Sequence, residues 1–146
     1  MKNKINYTIN NKPLDYLDKV TSDILGLITP TDVTGYKYLI TFLEKSTREI
    51  QGELLKTKDE AYNAFLRYKS IIENNNGQIR IKRFKSDQGG KFINKRFKSL
   101  FESSRINYET SLTYTKEPNS LIERLNYTIF SKVRSILYFT KLLKYF

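Results

Sequence analysis

The residues of this chain best suited to chemistry are three carboxylates, Asp23, Asp87 and Glu123. Asp23 stands in the apolar run Val20-Thr21-Ser22-Asp23-Ile24-Leu25, where a charge is costly unless it is paired or metal-bound. Asp87 is followed by Gln88-Gly89-Gly90, so its side chain emerges where the backbone turns. Glu123 falls in the first turn of a helical pattern, one position from the apolar stripe of Ile122 and Leu125. Converging carboxylates without cationic partners repel one another and raise each other's pKa, and a divalent cation removes that cost. Two such cations, ~3.5–4 Å apart, clamp the attacking and leaving oxygens of an in-line phosphoryl displacement. The competing account makes each acid an ordinary cap, turn or surface residue. For a single Asp at a strand end, that account is the better one.

Composition narrows the chemistry further. The chain has no cysteine and no histidine, which excludes disulfides, thiolate nucleophiles, Ser-His triads and zinc fingers. Any metal must be held by oxygen, which favours Mg²⁺ or Mn²⁺. The 26 Lys and Arg against 15 Asp and Glu give a net charge of +11, which points to a polyanionic partner, nucleic acid before anionic membrane. An AT-rich coding sequence that over-uses Lys, Asn, Ile and Tyr explains the same charge without a partner. No membrane span is expected: Ile136 to Phe146 is broken by Lys141 and Lys144 and is too short. Met1 to Asn11 is polar and lacks the apolar run of a signal peptide.

The 146 residues suffice for one domain with one core. Residues 1–18 are expected to be a loose lead-in, and 19–146 a single domain. Val20–Ile28 suits a buried strand around Asp23, and Pro30 to Gly35 supplies a turn. Tyr36–Leu43, rich in aromatic and β-branched residues, predicts a strand that pairs antiparallel with a third at Arg48–Leu55. Thr57-Lys58-Asp59-Glu60 reads as a capping box. It opens a helix with Ala61, Ala64, Phe65, Tyr68 and Ile72 inward, which stops in Asn74-Asn75-Asn76-Gly77. A strand follows over Ile79–Phe84, running out at Ser86-Asp87, then a helix over Asn94–Ser104 and a brief strand over Asn107–Leu112. A last helix carries Ile122, Leu125, Ile129, Val133 and Ile136 at period 3.6. The fold class is therefore α/β: a mixed five-stranded sheet, three antiparallel strands followed by alternating helix and strand, flanked by helices.

At these residues the sequence resembles the integrase core of copia-type LTR retrotransposons, a branch of the RNase H-like DDE transferases. The resemblance runs from about Asp18 to Phe146. "SDILGLITPTDVTGYKYLITFLEKSTR" is similar to the family's first-strand aspartate and its "KYFLTFIDDYSR" hairpin. "RIKRFKSDQGGKF" resembles its "LRSDNGGEF", and "TYTKEPNSLIERLNYT" its "PYTPQQNGVAERKNRT". Between Asp87 and Glu123 stand 35 residues, the interval of retroviral-type DDE enzymes.

The resemblance implies an RNase H-like fold and two Mg²⁺ (or Mn²⁺) ions held by Asp23, Asp87 and Glu123. It implies joining of an element-end 3′-hydroxyl to target DNA, which would put the protein's work in the nucleus or in a cytoplasmic particle. It also implies a homodimer, with Phe97, Phe101 and Tyr138 lining an interface or filling the core; helical spacing favours the core for the first two. Tyr114 and Asn119 match the mobile active-site loop, and Lys82, Arg83, Lys85, Lys91 and Arg124 are candidate phosphate contacts. The chain departs from the pattern at Gly26-Leu27 (usually Gly-Pro), at Asn119-Ser120 (usually Asn-Gly) and in the thinned basic run Arg124-Leu125-Asn126-Tyr127. Lys45 and Lys91 replace acids. A degenerate remnant that keeps the fold and weak DNA binding is the main alternative. A transposase, a ribonuclease H and a purely structural nucleic-acid-binding module are the others.

Overall fold

A computed structural model describes residues 13–26, 35–75, 77–86 and 94–110, together with 124–125, 127–129 and 131–132. Five strands, β1 (Val20–Gly26), β2 (Tyr38–Glu44), β3 (Ile50–Leu55), β4 (Arg83–Ser86) and β5 (Asn107–Thr110), form one sheet in the order β3-β2-β1-β4-β5. β1, β2 and β3 pair antiparallel, and β4 and β5 run parallel to β1. Helix α1 (Ala61–Asn74) carries the chain from β3 to β4, and α2 (Lys95–Ser103) carries it from β4 to β5. The expected α/β architecture is the one found.

Both helices cover one face of the sheet. Val20 and Ile24 of β1, Ile40 and Phe42 of β2 and Phe84 of β4 meet Ala61, Ala64, Phe65, Tyr68 and Ile72 of α1, with Phe97 and Phe101 of α2. Phe65 is the hub. Its ring lies 4.8 Å from that of Phe84, 5.7 Å from Phe101, 5.9 Å from Phe97 and 6.1 Å from Phe42. Phe97 and Phe101 thus fill the core, while Tyr138 lies outside the described residues.

Local chemistry explains where elements begin. Asn94 caps α2, its Oδ1 accepting from the backbone N–H groups of Arg96 (3.0 Å) and Phe97 (3.2 Å). The box expected at Thr57 is only half made. Thr57 makes no side-chain cap, and Glu60 reaches back to the Lys56 N–H (2.8 Å) instead, because Lys58–Glu60 forms a tighter 3₁₀ turn ahead of α1. The fourth strand starts later than Ile79. The Ile81 N–H is taken by the Glu73 carboxylate and the Lys82 N–H by the Leu17 carbonyl, and Ile79 and Arg80 are both exposed, so the chain joins the ladder only from Arg83. Of the last helix only seven residues are described, and all are helical. Leu125 and Ile129 are half-buried and the other five exposed, as the period of 3.6 requires; Ile122, Val133 and Ile136 lie outside the described residues.

Glu44 holds the start of β1. It is fully buried and accepts from the N–H groups of Leu17 (3.1 Å), Ser46 (3.1 Å) and Thr47 (2.7 Å) and from the hydroxyls of Ser46 (2.8 Å) and Thr47 (2.7 Å). Leu17, in the stretch expected to be a lead-in, is itself fully buried at φ 61°, a conformation that needs such bonds to persist. Burial pushes the Glu44 carboxyl up, but its hydrogen bonds outweigh burial and leave it below the ordinary value of 4.5. A lowered folded pKa means that its stabilising contribution is complete above 4.5 and is lost as pH falls through the folded value. Glu44→Gln is expected to lower unfolding free energy by ~2–3 kcal/mol at neutral pH and to flatten the acid limb of the stability curve. Urea melts of both proteins between neutral and acid pH check it; parallel curves would contradict it.

Candidate active site

Asp23 is the fourth residue of β1, half-buried and directly opposite Thr41 of β2. Alternation along the strand puts it on the face away from α1 and α2, with Thr21 and Leu25. Leu39, Thr41 and Leu43 of β2 share that face and are buried. The Thr21 hydroxyl, 1% exposed, has no hydrogen-bond partner among the described residues. On β4 the same face carries Arg83 and Lys85, because Phe84 and Ser86 point to the core.

The parallel pairing of β1 with β4 sets Val20 opposite Phe84, Thr21 opposite Lys85 and Ser22 opposite Ser86. Asp23 is the next residue on its strand beyond the last of these pairs. Asp87 and Glu123 lie outside the described residues, as do Lys91, Tyr114 and Asn119. Among the described residues no three acids group into a metal-binding cluster.

The basic residues separate by position. Lys85 pairs with Thr21, two residues before Asp23, or about 7 Å along the strand. Arg83 lies further toward the start of β4 and pairs with Glu109 (3.6 Å), which Lys19 also holds (2.6 Å). Burial raises the Glu109 carboxyl, and the bond and charge of Lys19 more than reverse this. Lys82 precedes β4 and is bound to Asp18 (2.6 Å), where its ammonium holds the Asp18 carboxyl below the usual range. Arg124 is exposed on the last helix. Lys82 and Arg83 are candidates because they lie close to Asp87 in sequence; their acid partners, 64 and 26 residues away, give no local signal.

In comparison with known proteins, no family model matches the chain. It is 34% identical over 139 residues, 95% of its length, to the retrovirus-related Pol polyprotein from transposon TNT 1-94 of Nicotiana tabacum. It is also 34% identical over 117 residues to the Pol polyprotein from transposon RE2 of Arabidopsis thaliana. The chain is thus similar to a short segment of retrotransposon Pol polyproteins. It spans 10% and 7% of the lengths of these two relatives. The fold is that of retroviral integrase catalytic cores. The HTLV-2 integrase catalytic core domain in complex with magnesium superposes with a TM-score of 0.64 in its trimeric form, at 18% identity over 87% of this chain and 76% of that one. Its dimeric form gives 0.63 at 19% identity, over 87% and 77%. A simian T-cell lymphotropic virus intasome in complex with PP2A regulatory subunit B56 gamma gives 0.59 at 18%, over 80% of this chain and 42% of that one. No helix among the described residues is long and apolar enough to cross a membrane.

Gly26 closes β1 at the end of the sheet nearest Asp23. A Cβ built there would stand 2.1 Å from Cδ1 of Tyr38, whose ring lies across the glycine. This is a close approach that only glycine permits, and it explains why the chain keeps the glycine of the resembled Gly-Pro pair after the proline is gone. Gly26→Ala is expected to cost ~1–3 kcal/mol of stability through overpacking. An unchanged urea midpoint would show that the Tyr38 ring does not depend on the gap.

Proposed function

We propose that this chain is a metal-dependent DNA strand-transferase in which Asp23, Asp87 and Glu123 form the acidic site. The β1–β4 register carries the proposal. Ser22 and Ser86 are register partners, so each aspartate follows directly in sequence one member of that pair. Chain connectivity keeps consecutive Cα atoms ~3.8 Å apart, and paired strands lie ~4.8 Å apart. On this reading the two carboxylates serve a common ion. Glu123 enters on the resemblance alone, through the interval of 35 residues that follows Asp87.

The donor set fits magnesium. It is all oxygen, it contains no imidazole or thiolate, and the orphaned Thr21 hydroxyl on the Asp23 face adds a further oxygen beside it. Bound metal would lower the pKa of the attacking hydroxyl and stabilise the departing oxygen. The chain's own part is to fix Asp23 on a central strand and to present Lys85 to a phosphate on the same face. Two ions are the expected number, element-end and target DNA the substrates, a second copy of the chain the partner, and the nucleus the site of action. Residues 19–146 would act as one catalytic domain within a longer Pol protein. The magnesium in the HTLV-2 core and the intasome assembly of the simian virus protein support this reading by relation.

Mg²⁺ is expected to raise the melting temperature of the chain, and Asp23→Asn to remove that rise. On a preassembled branched DNA substrate, Asp23→Asn and Glu123→Gln are each expected to slow joining by ~10²-fold or more with the fold intact. Joining by Asp23→Asn at the parent rate, with no response to Mg²⁺ in either protein, would leave the degenerate remnant as the better description.

A further inference from the structure

Two sets of cations stand out among the described residues by what they contact. Lys19, Arg67, Lys69, Arg80, Lys82 and Arg83 each pair with a carboxylate. Lys56, Lys58 and Arg96 instead lie over tyrosine rings: Lys56 over Tyr36 (5.5 Å), Lys58 over Tyr38 (5.5 Å) and Arg96 over Tyr62 (4.3 Å). A ring steadies a cation without cancelling its charge. All three cations are exposed, while the three tyrosines beneath them are half-buried.

These three pairs also share one end of the fold. Gly26 ends β1 opposite Tyr38, which starts β2 opposite Leu55, the last residue of β3. Lys56 and Lys58 follow directly, and Tyr62 lies in the first turn of α1. The Arg96–Tyr62 contact, with Tyr62 edge-on to Phe97 at 5.2 Å, fixes the start of α2 beside the start of α1. Lys37, Lys95 and Lys98 are exposed nearby in sequence and add charge. The local acids are fewer. Glu60 is occupied by the Lys56 N–H and Glu53 by Arg67, which leaves Asp59 exposed. The ion-paired cations Lys19, Lys82 and Arg83 belong to the opposite end, where β1 and β4 begin.

We infer that Lys56, Lys58 and Arg96, backed by Tyr36, Tyr38 and Tyr62, form a preorganised phosphate-binding rim that seats a DNA strand across the end of the sheet where Asp23 lies. The assignment rests on the strand-transfer reading only for the identity of the polyanion. Asp23 is three residues from Gly26, about 10 Å along the strand, or the rise of about three nucleotides in a duplex. Tyr38 and Tyr62 pack on the helix-covered face and Asp23 lies on the other, so the backbone held at the rim would cross the end of the sheet to reach the acidic site. The ring-backed geometry limits the search of long side chains, so the rim contributes register as well as charge.

The test is equilibrium binding of a fluorescein-labelled DNA duplex to the full 146-residue chain, read by anisotropy over a salt series without divalent ions. No joining occurs under these conditions, so an inactive acidic site cannot mask or mimic the result. Combined Lys56→Ala, Lys58→Ala and Arg96→Ala substitutions are expected to reduce the slope of log affinity against log salt by ~2–3, about 0.9 for each phosphate that is no longer neutralised. Lys82→Ala, which removes an ion-paired cation, is expected to leave the slope unchanged. A charge-keeping variant (Lys56→Arg, Lys58→Arg, Arg96→Lys) controls for folding and should restore the slope. An unchanged slope in the alanine variant with an intact thermal melt would overturn the inference, as would an equal decrease in Lys82→Ala.

Discussion

Parallel strands make a demanding connection, because nothing short can join them and their register must be imposed from outside. Here β1 and β4 share three residue pairs in the middle of the sheet, and Asp23 follows the last of them. Several interactions fix that short register. Phe65 of α1 packs its ring on Phe84, the residue opposite Val20. The Lys82 N–H donates to Leu17 just before both strands begin, and the Asn107 N–H bonds Lys82 to bring in β5. Glu44 then binds the Leu17 N–H and the turn after β2, so the start of β1 is tied to the hairpin on one side and to β4 on the other. A slip of one residue would send Asp23 into the aromatic core and Ile24 out of it.

Charge is arranged along the same axis. Where β1 and β4 begin, Lys19, Lys82 and Arg83 meet Asp18 and Glu109, and their charges are taken up within the fold. Where those strands end, exposed cations rest on aromatic rings and keep their charge. A net charge of +11 is thus not spread evenly in its effect. The ring-backed cations lie toward the Asp23 end of the sheet, which suits the proposed meeting of an acidic site with a polyanion. Sequence similarity to retrotransposon Pol polyproteins and a fold shared with retroviral integrase cores agree with that polarity.

Much of this is legible in the sequence because it is local. The aromatic and β-branched run Tyr36–Leu43, the helical spacing of Ala61, Ala64, Phe65, Tyr68 and Ile72, and Asn94 at a helix start are each written within a short stretch of chain. The features that sequence does not reveal depend on distant partners. Glu44 reads as the tail of a strand, yet its role comes from Leu17, 27 residues earlier. Ile79–Phe84 alternates as a strand should, but Glu73 and Leu17 claim its N–H groups before a ladder can form. The Asp18 beside Lys82 is likewise invisible to a local reading of the sequence. The tyrosine-backed cations leave no motif, since Arg96 and Tyr62 are joined only by the packing of two helices. Of the candidate acids Asp23, Asp87 and Glu123, the described residues include Asp23.

On the proposed function, Asp23 and Asp87 serve one ion. Paramagnetic broadening by Mn²⁺ in ¹⁵N-labelled protein tests this most directly, because it reports which amides lie near a bound ion without requiring activity. At substoichiometric Mn²⁺ the amide signals of Asp23 and Asp87 are expected to broaden together and first, ahead of those around Glu73, Glu53 and Glu109. Broadening that begins at those other acids, or that reaches one aspartate and spares the other, would contradict a shared site.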